Sequence, residues 1–445
     1  TDLPSDNIYS IYQSREGLYW VGTFYGLATG SPALFQKIDD TFTQLSNNSV
    51  NSFSETSDGS FWVGTADGLN RLRPGHLTFD WINESTYPNI SSSDVMSLLS
   101  EGDILWAGTF NSGLNRIDTS NDTSIAYQHS DLDDSTLGGN GVTSILRTMD
   151  GNLLVGTYGG GLSIYLEDDG TFQRLTHDPL NPKSLSNNNV IALFQDSFGM
   201  IWVGTESGLN RFYPDKKTFD HYRTERKNEN SISHDMVWAF YEDEEQRLWL
   251  GTGGGGLNRW DKTDRRASRG KFHHFSDKIS LPSSNIYGIQ SDSNGSLWLS
   301  HNRGITKFNP DTLKTHQYGI EDGLQDSEFN LGASFRTNDG TIFFGGNRGY
   351  NIVPTKGIVE NSTPPIVNIS QIRIMNQRKE FTVPYYKLER LELGYEDRMF
   401  SIEFFAADYS NPSLVKYAYK LEGLNPDWII STESHKVSFT TLPPG

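Results

Sequence analysis

One phrase returns along almost the whole chain and limits what it can fold into. An aromatic residue or leucine is followed by an aliphatic residue, glycine and threonine, and a few residues later by Gly-Leu-Asn-Arg or a variant of it. It appears at Trp20-Val21-Gly22-Thr23, Trp62-Val63-Gly64-Thr65, Trp106-Ala107-Gly108-Thr109, Leu154-Val155-Gly156-Thr157, Trp202-Val203-Gly204-Thr205 and Trp249-Leu250-Gly251-Thr252. Two altered copies follow, at Trp298-Leu299-Ser300-His301 and Phe344-Gly345-Gly346. The step between copies is about 42 to 49 residues, the length of one four-stranded propeller blade. A unit of that size cannot bury its apolar faces alone, so it must stack on its neighbours.

Each copy parses into four strands, A to D. In the fifth, Val190-Ile191-Ala192-Leu193-Phe194 is strand A and Asp196-Ser197-Phe198-Gly199 a tight turn. Ile201 to Gly204 is strand B, Gly208 to Phe212 strand C, and Thr218 to Tyr222 strand D. No stretch carries a helical period. The expectation is an all-β chain: a β-propeller of seven or eight four-stranded blades over residues 1–355, then a partial immunoglobulin-like β-sandwich over 356–445. Either the eight units close one ring, or the first belongs to a missing upstream propeller and seven follow. The anchor aromatics read as core. The small strand-A residues Ser52, Ser97, Ser144, Ala192, Ala239, Gly288 and Ser334 are expected to face them across neighbouring blades.

The meander also separates two faces. A–B and C–D turns share one, where Asp-Gly and Asn-Gly pairs punctuate repetitive turns. B–C and D–A loops share the other, and these vary. Around the axis, the B–C loops offer Tyr25, Asp67, Phe110, Asn111, Tyr158, Glu206, Asn302, Arg303, Asn347 and Arg348. Aromatic faces, amides, arginines and carboxylates in one ring suit a polar ligand such as a carbohydrate.

Lys and Arg number 37 against 55 Asp and Glu, for a net charge of −18, which argues against nucleic acid as a partner. There is no cysteine, so disulfides and thiolate chemistry are excluded. No apolar run reaches membrane-spanning length. The run Gly253 to Gly256 precedes a strand and lacks the lysine of a phosphate loop. Asp131, Asp133 and Asp134 lack calcium-loop spacing and read as solvated charge, as does Glu242-Asp243-Glu244-Glu245. No cofactor, metal or catalytic residue is expected. Asp67 with Glu206 is the one acid–base pair the ring offers, and it would act only if both face one ligand.

After Val353 the period stops, and Pro364-Pro365 reads as a boundary. Strands are expected at Ile366–Ile374, Arg390–Leu393, Met399–Phe405 and Val415–Leu421, in a domain cut short at its C-terminal end.

The units built on Leu-Pro-Ser-Ser-Asn-Ile (281–286), Trp-x-Gly-Thr and Gly-Leu-Asn-Arg resemble the two-component regulator propeller repeat. Asp397-Arg398-Met399-Phe400-Ser401-Ile402-Glu403-Phe404, with Tyr417-Ala418-Tyr419-Lys420-Leu421-Glu422-Gly423 and Trp428, resembles the Y-Y-Y domain that follows such propellers in bacterial sensors. The resemblance implies the periplasmic part of a homodimeric inner-membrane receptor that binds a small molecule, often an oligosaccharide. The signal would pass through the Y-Y-Y domain and a membrane helix absent from this chain to a histidine kinase or diguanylate cyclase. A propeller lyase or glycosidase, and a protein–protein scaffold, are the alternatives.

Overall fold

The computed structural model describes residues 3–14, 18–30, 33–40, 45–83, 90–276, 278–354 and 358. Beyond these it describes 366–381, 383–388, 390–394, 397, 399–406, 415, 417–423, 425–431 and 435–440. The Pro364-Pro365 boundary, Arg398, Lys416 and the final turn from residue 441 lie outside the described residues. The chain divides into two compact units, one of Ala33–Ile358 and one of Thr1–Pro32 with Val359–Gly445.

The first unit holds seven four-stranded antiparallel sheets. Their A strands are Val50–Glu55, Val95–Glu101, Gly141–Arg147, Val190–Gln195, Val237–Glu242, Gly288–Ser291 and Phe329–Arg336, which number blades 1 to 7. Each A strand packs against the next, and that of blade 7 packs against that of blade 1, so the ring closes at seven. The fourth strand of blade 7 comes from far upstream. Counting from the N-terminus, β1 is Ile8–Gln13, β2 Tyr19–Thr23, β3 Gly26–Gly30 and β4 Gln36–Ile38. Strand β4 pairs antiparallel with Gly349–Val353, through Tyr350↔Ile38 and Asn351↔Lys37. The two ends of the ring therefore meet inside one sheet. Strands β1 to β3 form a separate three-stranded sheet outside the seven blades.

The repeated glycine has a steric cause. Ser52, Ser97, Ser144, Ala192 and Ala239 each lie opposite the strand-B glycine of their own blade. They do not face a neighbour's tryptophan, as the sequence suggested. The glycine is bare because the next blade's A strand comes within van der Waals reach. A Cβ at Gly64 would lie 2.7 Å from Val95 Cγ1, one at Gly156 2.5 Å from Val190 Cγ1, and one at Gly251 2.8 Å from Ile286 Cγ2. The substitution Gly64→Ala is expected to destabilise the propeller by about 1–3 kcal/mol through overpacking. Its thermal unfolding midpoint measures the loss.

The anchors Trp62, Trp106, Trp202, Trp249 and Trp298 are buried core. Each indole N–H is satisfied by the A–B turn of its own blade. Trp202 donates to Asp196 (2.9 Å), Trp249 to Asp243 (2.7 Å), Trp298 to Asp292 (3.0 Å), Trp106 to Glu101 (2.7 Å) and Trp62 to Thr56 (3.0 Å). This corrects the reading of Glu242-Asp243 as solvated charge. Asp243 pairs with Arg247 at 2.6 Å, and Glu242 receives Arg265. Arg265 stands on helix α1 (Lys262–Arg266), a short insertion between strands C and D of blade 5 that periodicity did not reveal.

In the second unit a four-stranded sheet runs in the order Gln377–Arg378, Val367–Ile374, Met399–Ala406, Lys436–Thr440, beside a hairpin of Tyr417–Tyr419 and Ile429–Ser431. The expected strand at Arg390–Leu393 does not form. Both edges of Val367–Ile374 are already paired. Among the described residues no helix is long and apolar enough to cross a membrane.

Candidate functional site

The mouth of the ring on the face of the B–C and D–A loops is built from blade parts that the sequence repeats. In blades 1, 3 and 4 the strand-B threonine clamps the following turn: Thr65 Oγ1 donates to the carbonyl of Gly68, Thr157 Oγ1 to that of Gly161, and Thr205 Oγ1 to that of Gly208. The buried asparagine of Gly-Leu-Asn-Arg reaches outward to the D–A loop. Asn70, Asn115, Asn210 and Asn258 accept the backbone N–H of Ser46, Ser91, Ser186 and Ser233, and donate back to the same serine hydroxyls. The motif thus fixes both loop sets on one face, the kind of support that a preorganised site requires.

The expected residues are distributed as follows. Tyr25 belongs to the sheet of β1 to β3 and to none of the seven blades, so it leaves the ring. Tyr158 and Glu206, on blades 3 and 4, meet: the phenol donates to Glu206 Oε1 at 3.3 Å. The charge of Glu206, then desolvation, pushes the Tyr158 phenol above its ordinary range. Asn189 Nδ2 donates to Glu206 Oε2 at 2.5 Å, while Asn189 Oδ1 accepts the N–H of Gly159 at 2.9 Å. Phe110, Asn111 and Asp67 are exposed on their loops. Asn302 accepts from Ser283 Oγ at 2.6 Å, and Asn347 from Ser49 Oγ at 3.4 Å across the ring closure. Arg348 Nε lies 3.1 Å from Asp326 Oδ2, and Arg303 is exposed. Asp67 donates its backbone N–H to Thr65 within its own turn, and Glu206 is held by Tyr158 and Asn189.

Sequence reasoning passed over the residues at the start of the A strands. Most A strands carry a bulge there, at Asn51, Met96, Thr143, Ile191 and Trp238, which breaks the pairing register and re-aims one residue per blade. On blade 5 it is Trp238; on blade 6 Tyr287 precedes Gly288 at the corresponding place. Their rings lie 5.5 Å apart at 32°. Tyr287 donates to Glu328 Oε1 at 3.4 Å, and burial followed by the Glu328 charge raises its phenol. The available signal was an aromatic where the other blades carry Asn, Met, Thr or Ile.

The same packing explains Gly253 to Gly256. A Cβ at Gly253 would strike the ring of Trp238, and one at Gly254, whose φ is +117°, would lie 3.2 Å from His234. The glycines clear space for two side chains. Among the described residues no group of three or more His, Asp or Glu is placed to hold a metal. The acidic loop is tied up by its neighbours: Asp131 bonds His129, Asp133 caps Ser135, and Asp134 lies 3.4 Å from Arg174.

Residues 2–25, 44–67, 136–159, 184–207, 231–254 and 280–303 match the two component regulator propeller family model, and residues 408–445 match the Y_Y_Y domain. The whole chain superposes on 58% of an extracellular domain from B. thetaiotaomicron described as that of a hybrid two component system, with a TM-score of 0.78 and 25% identity. Histidine kinase P4 of Formosa agariphila is 29% identical over 156 residues, which are 34% of this chain and 11% of the kinase. The chain therefore spans little more than half of the first and a small part of the second. Virginiamycin B lyase of Staphylococcus aureus shares the fold over 72% of this chain and 97% of the lyase, at a TM-score of 0.52 and 15% identity.

Proposed function

Because the chain carries two component regulator propeller repeats followed by a Y_Y_Y domain, we propose that it is the extracytoplasmic sensor region of a bacterial two-component receptor. The propeller mouth takes a small polar ligand of the oligosaccharide class. The change passes through the Y_Y_Y domain to an output domain, a histidine kinase or a cyclase, in the cytoplasm. In a Gram-negative cell this places the chain in the periplasm, where the receptor acts as a homodimer. The observation that carries the reading is the order of the two domain types in one chain; the likeness of the chain to part of the extracellular domain of a hybrid two component system supports it. The mouth supports it with exposed aromatics, amides and charges of both signs on loops held rigid from below. Coupling requires the ligand to favour one arrangement of the receptor over another.

A thermal-shift screen against oligosaccharides tests this, since a ligand that binds only the folded chain raises its melting point. Tyr158→Ala is expected to weaken the hit at least tenfold with folding intact. The runner-up is a lyase or glycosidase, for which the observation is the fold shared with virginiamycin B lyase. New reducing or unsaturated ends formed from the bound saccharide would replace the sensor reading with an enzymatic one.

A further inference from the structure

The tryptophans of strand B share a property that Trp238 lacks. Each of the five donates its indole N–H to the turn before it. Trp238 is half-buried, and among the described residues its N–H has no protein acceptor. It is not a gap-filler: its ring occupies the volume that a Cβ on Gly253 would need, and Gly253 is bare. Tyr287 lies beside it at 32°, so the two rings form a tilted aromatic surface across blades 5 and 6. Glu328 takes the Tyr287 hydroxyl on one carboxylate oxygen, which leaves the other to accept a hydroxyl from a ligand. An apolar face, a free N–H donor and a fixed carboxylate acceptor are what one pyranose ring requires, through its C–H face and two of its hydroxyls.

Charge selects within that class. The B–C and D–A loops of this face carry more Asp and Glu, among them Asp67, Asp94, Glu206, Asp235, Asp326 and Glu328, than Lys and Arg, among them Arg223, Arg226, Lys227, Arg303 and Arg348. Arg348 is already paired with Asp326. A carboxylated or sulfated saccharide would meet net repulsion, whereas a neutral one would find acceptors for its hydroxyls.

We propose that Trp238, Tyr287 and Glu328 form a stacking subsite for one ring of a neutral oligosaccharide. This rests on the sensor reading and adds to it the sugar class and the blades that hold it. The test is titration of the folded chain with maltotriose, cellotriose, xylotriose, mannotriose and trigalacturonate, followed by tryptophan fluorescence and calorimetry. A neutral trisaccharide is expected to shift the fluorescence and to bind more tightly than trigalacturonate. Trp238→Ala is expected to cost about tenfold or more in affinity, with an unchanged melting point. Tyr287→Leu, which keeps an apolar side chain, gives a second variant should the first lose its fold. Unchanged affinity in both variants, with loss in Tyr158→Ala, overturns the subsite and leaves the sensor reading standing. Tighter binding of trigalacturonate overturns the neutral class. No response to any of the five sugars overturns both.

Discussion

Arg265→Ala is expected to lower the stability of the propeller by about 3–5 kcal/mol, the usual cost of removing one partner from a buried ion pair. The guanidinium is fully buried between Asp196, itself fully buried, and Glu242. Its Nε lies 3.1 Å from Asp196 Oδ2, and its charged carbon sits 5.1 Å from the centre of the Phe198 ring. Asp196 belongs to the A–B turn of blade 4, whereas Arg265 and Glu242 belong to blade 5. The pair therefore joins neighbouring blades. Asp196 also accepts the N–H groups of Phe198 and Met200 and the indole of Trp202, at the centre of its own turn. Removing the arginine leaves two carboxylates facing each other without a cation. Arg265→Met combined with Glu242→Gln is expected to recover part of the loss, because one buried charge goes with its partner. Thermal and urea unfolding of the three proteins measures this. Equal stability of Arg265→Ala and the parent would mean that water reaches the carboxylates.

Acid is expected to destabilise blade 6 through His301. This residue replaces the threonine found at the same place in blades 1 to 5, and it is completely buried. Its Nδ1 accepts the backbone N–H of Arg303 at 3.1 Å, so the proton sits on Nε2, which donates to Thr306 Oγ1 at 2.8 Å. Protonating Nδ1 would set one donor against another. Burial, with the charge of Arg303, lowers the imidazole from 6.5 to about 4. The unfolded chain then takes up a proton that the folded chain refuses between those values. Stability is therefore complete above pH 6.5 and falls as the pH drops toward 4, by about 3 kcal/mol in total. His301→Thr restores the residue of the other blades, with Gly304 in place to accept its hydroxyl, and should flatten this slope. Melting points of both proteins from pH 7 to 4.5 decide it; parallel curves would show that the folded chain takes the proton as readily as the unfolded one.

The candidate site was legible where it rests on repetition. The loops that share the B–C and D–A face follow from strand connectivity alone, and Tyr158 and Glu206 were both placed there; that they meet came from the structure. Trp238 was missed because a bulge changes which way a residue points without changing the alternation around it, and Tyr287 stands just before its strand begins. Tyr25 was assigned to the ring because its phrase matches the others; sheet pairing places it elsewhere. Glu242 and Asp243 looked like surface charge because the cation that buries Glu242 lies on an insertion that breaks the period.

The sequence by itself determined the blade, its four strands, its buried tryptophans and the glycine beside them, since each repeats and each answers to contacts within a blade or with the next one. Only the tertiary structure decided how many blades close the ring. Closure depends on β4 reaching across the chain to pair with Gly349–Val353. Such a contact joins residues more than three hundred positions apart, and it leaves no periodic trace because it occurs once.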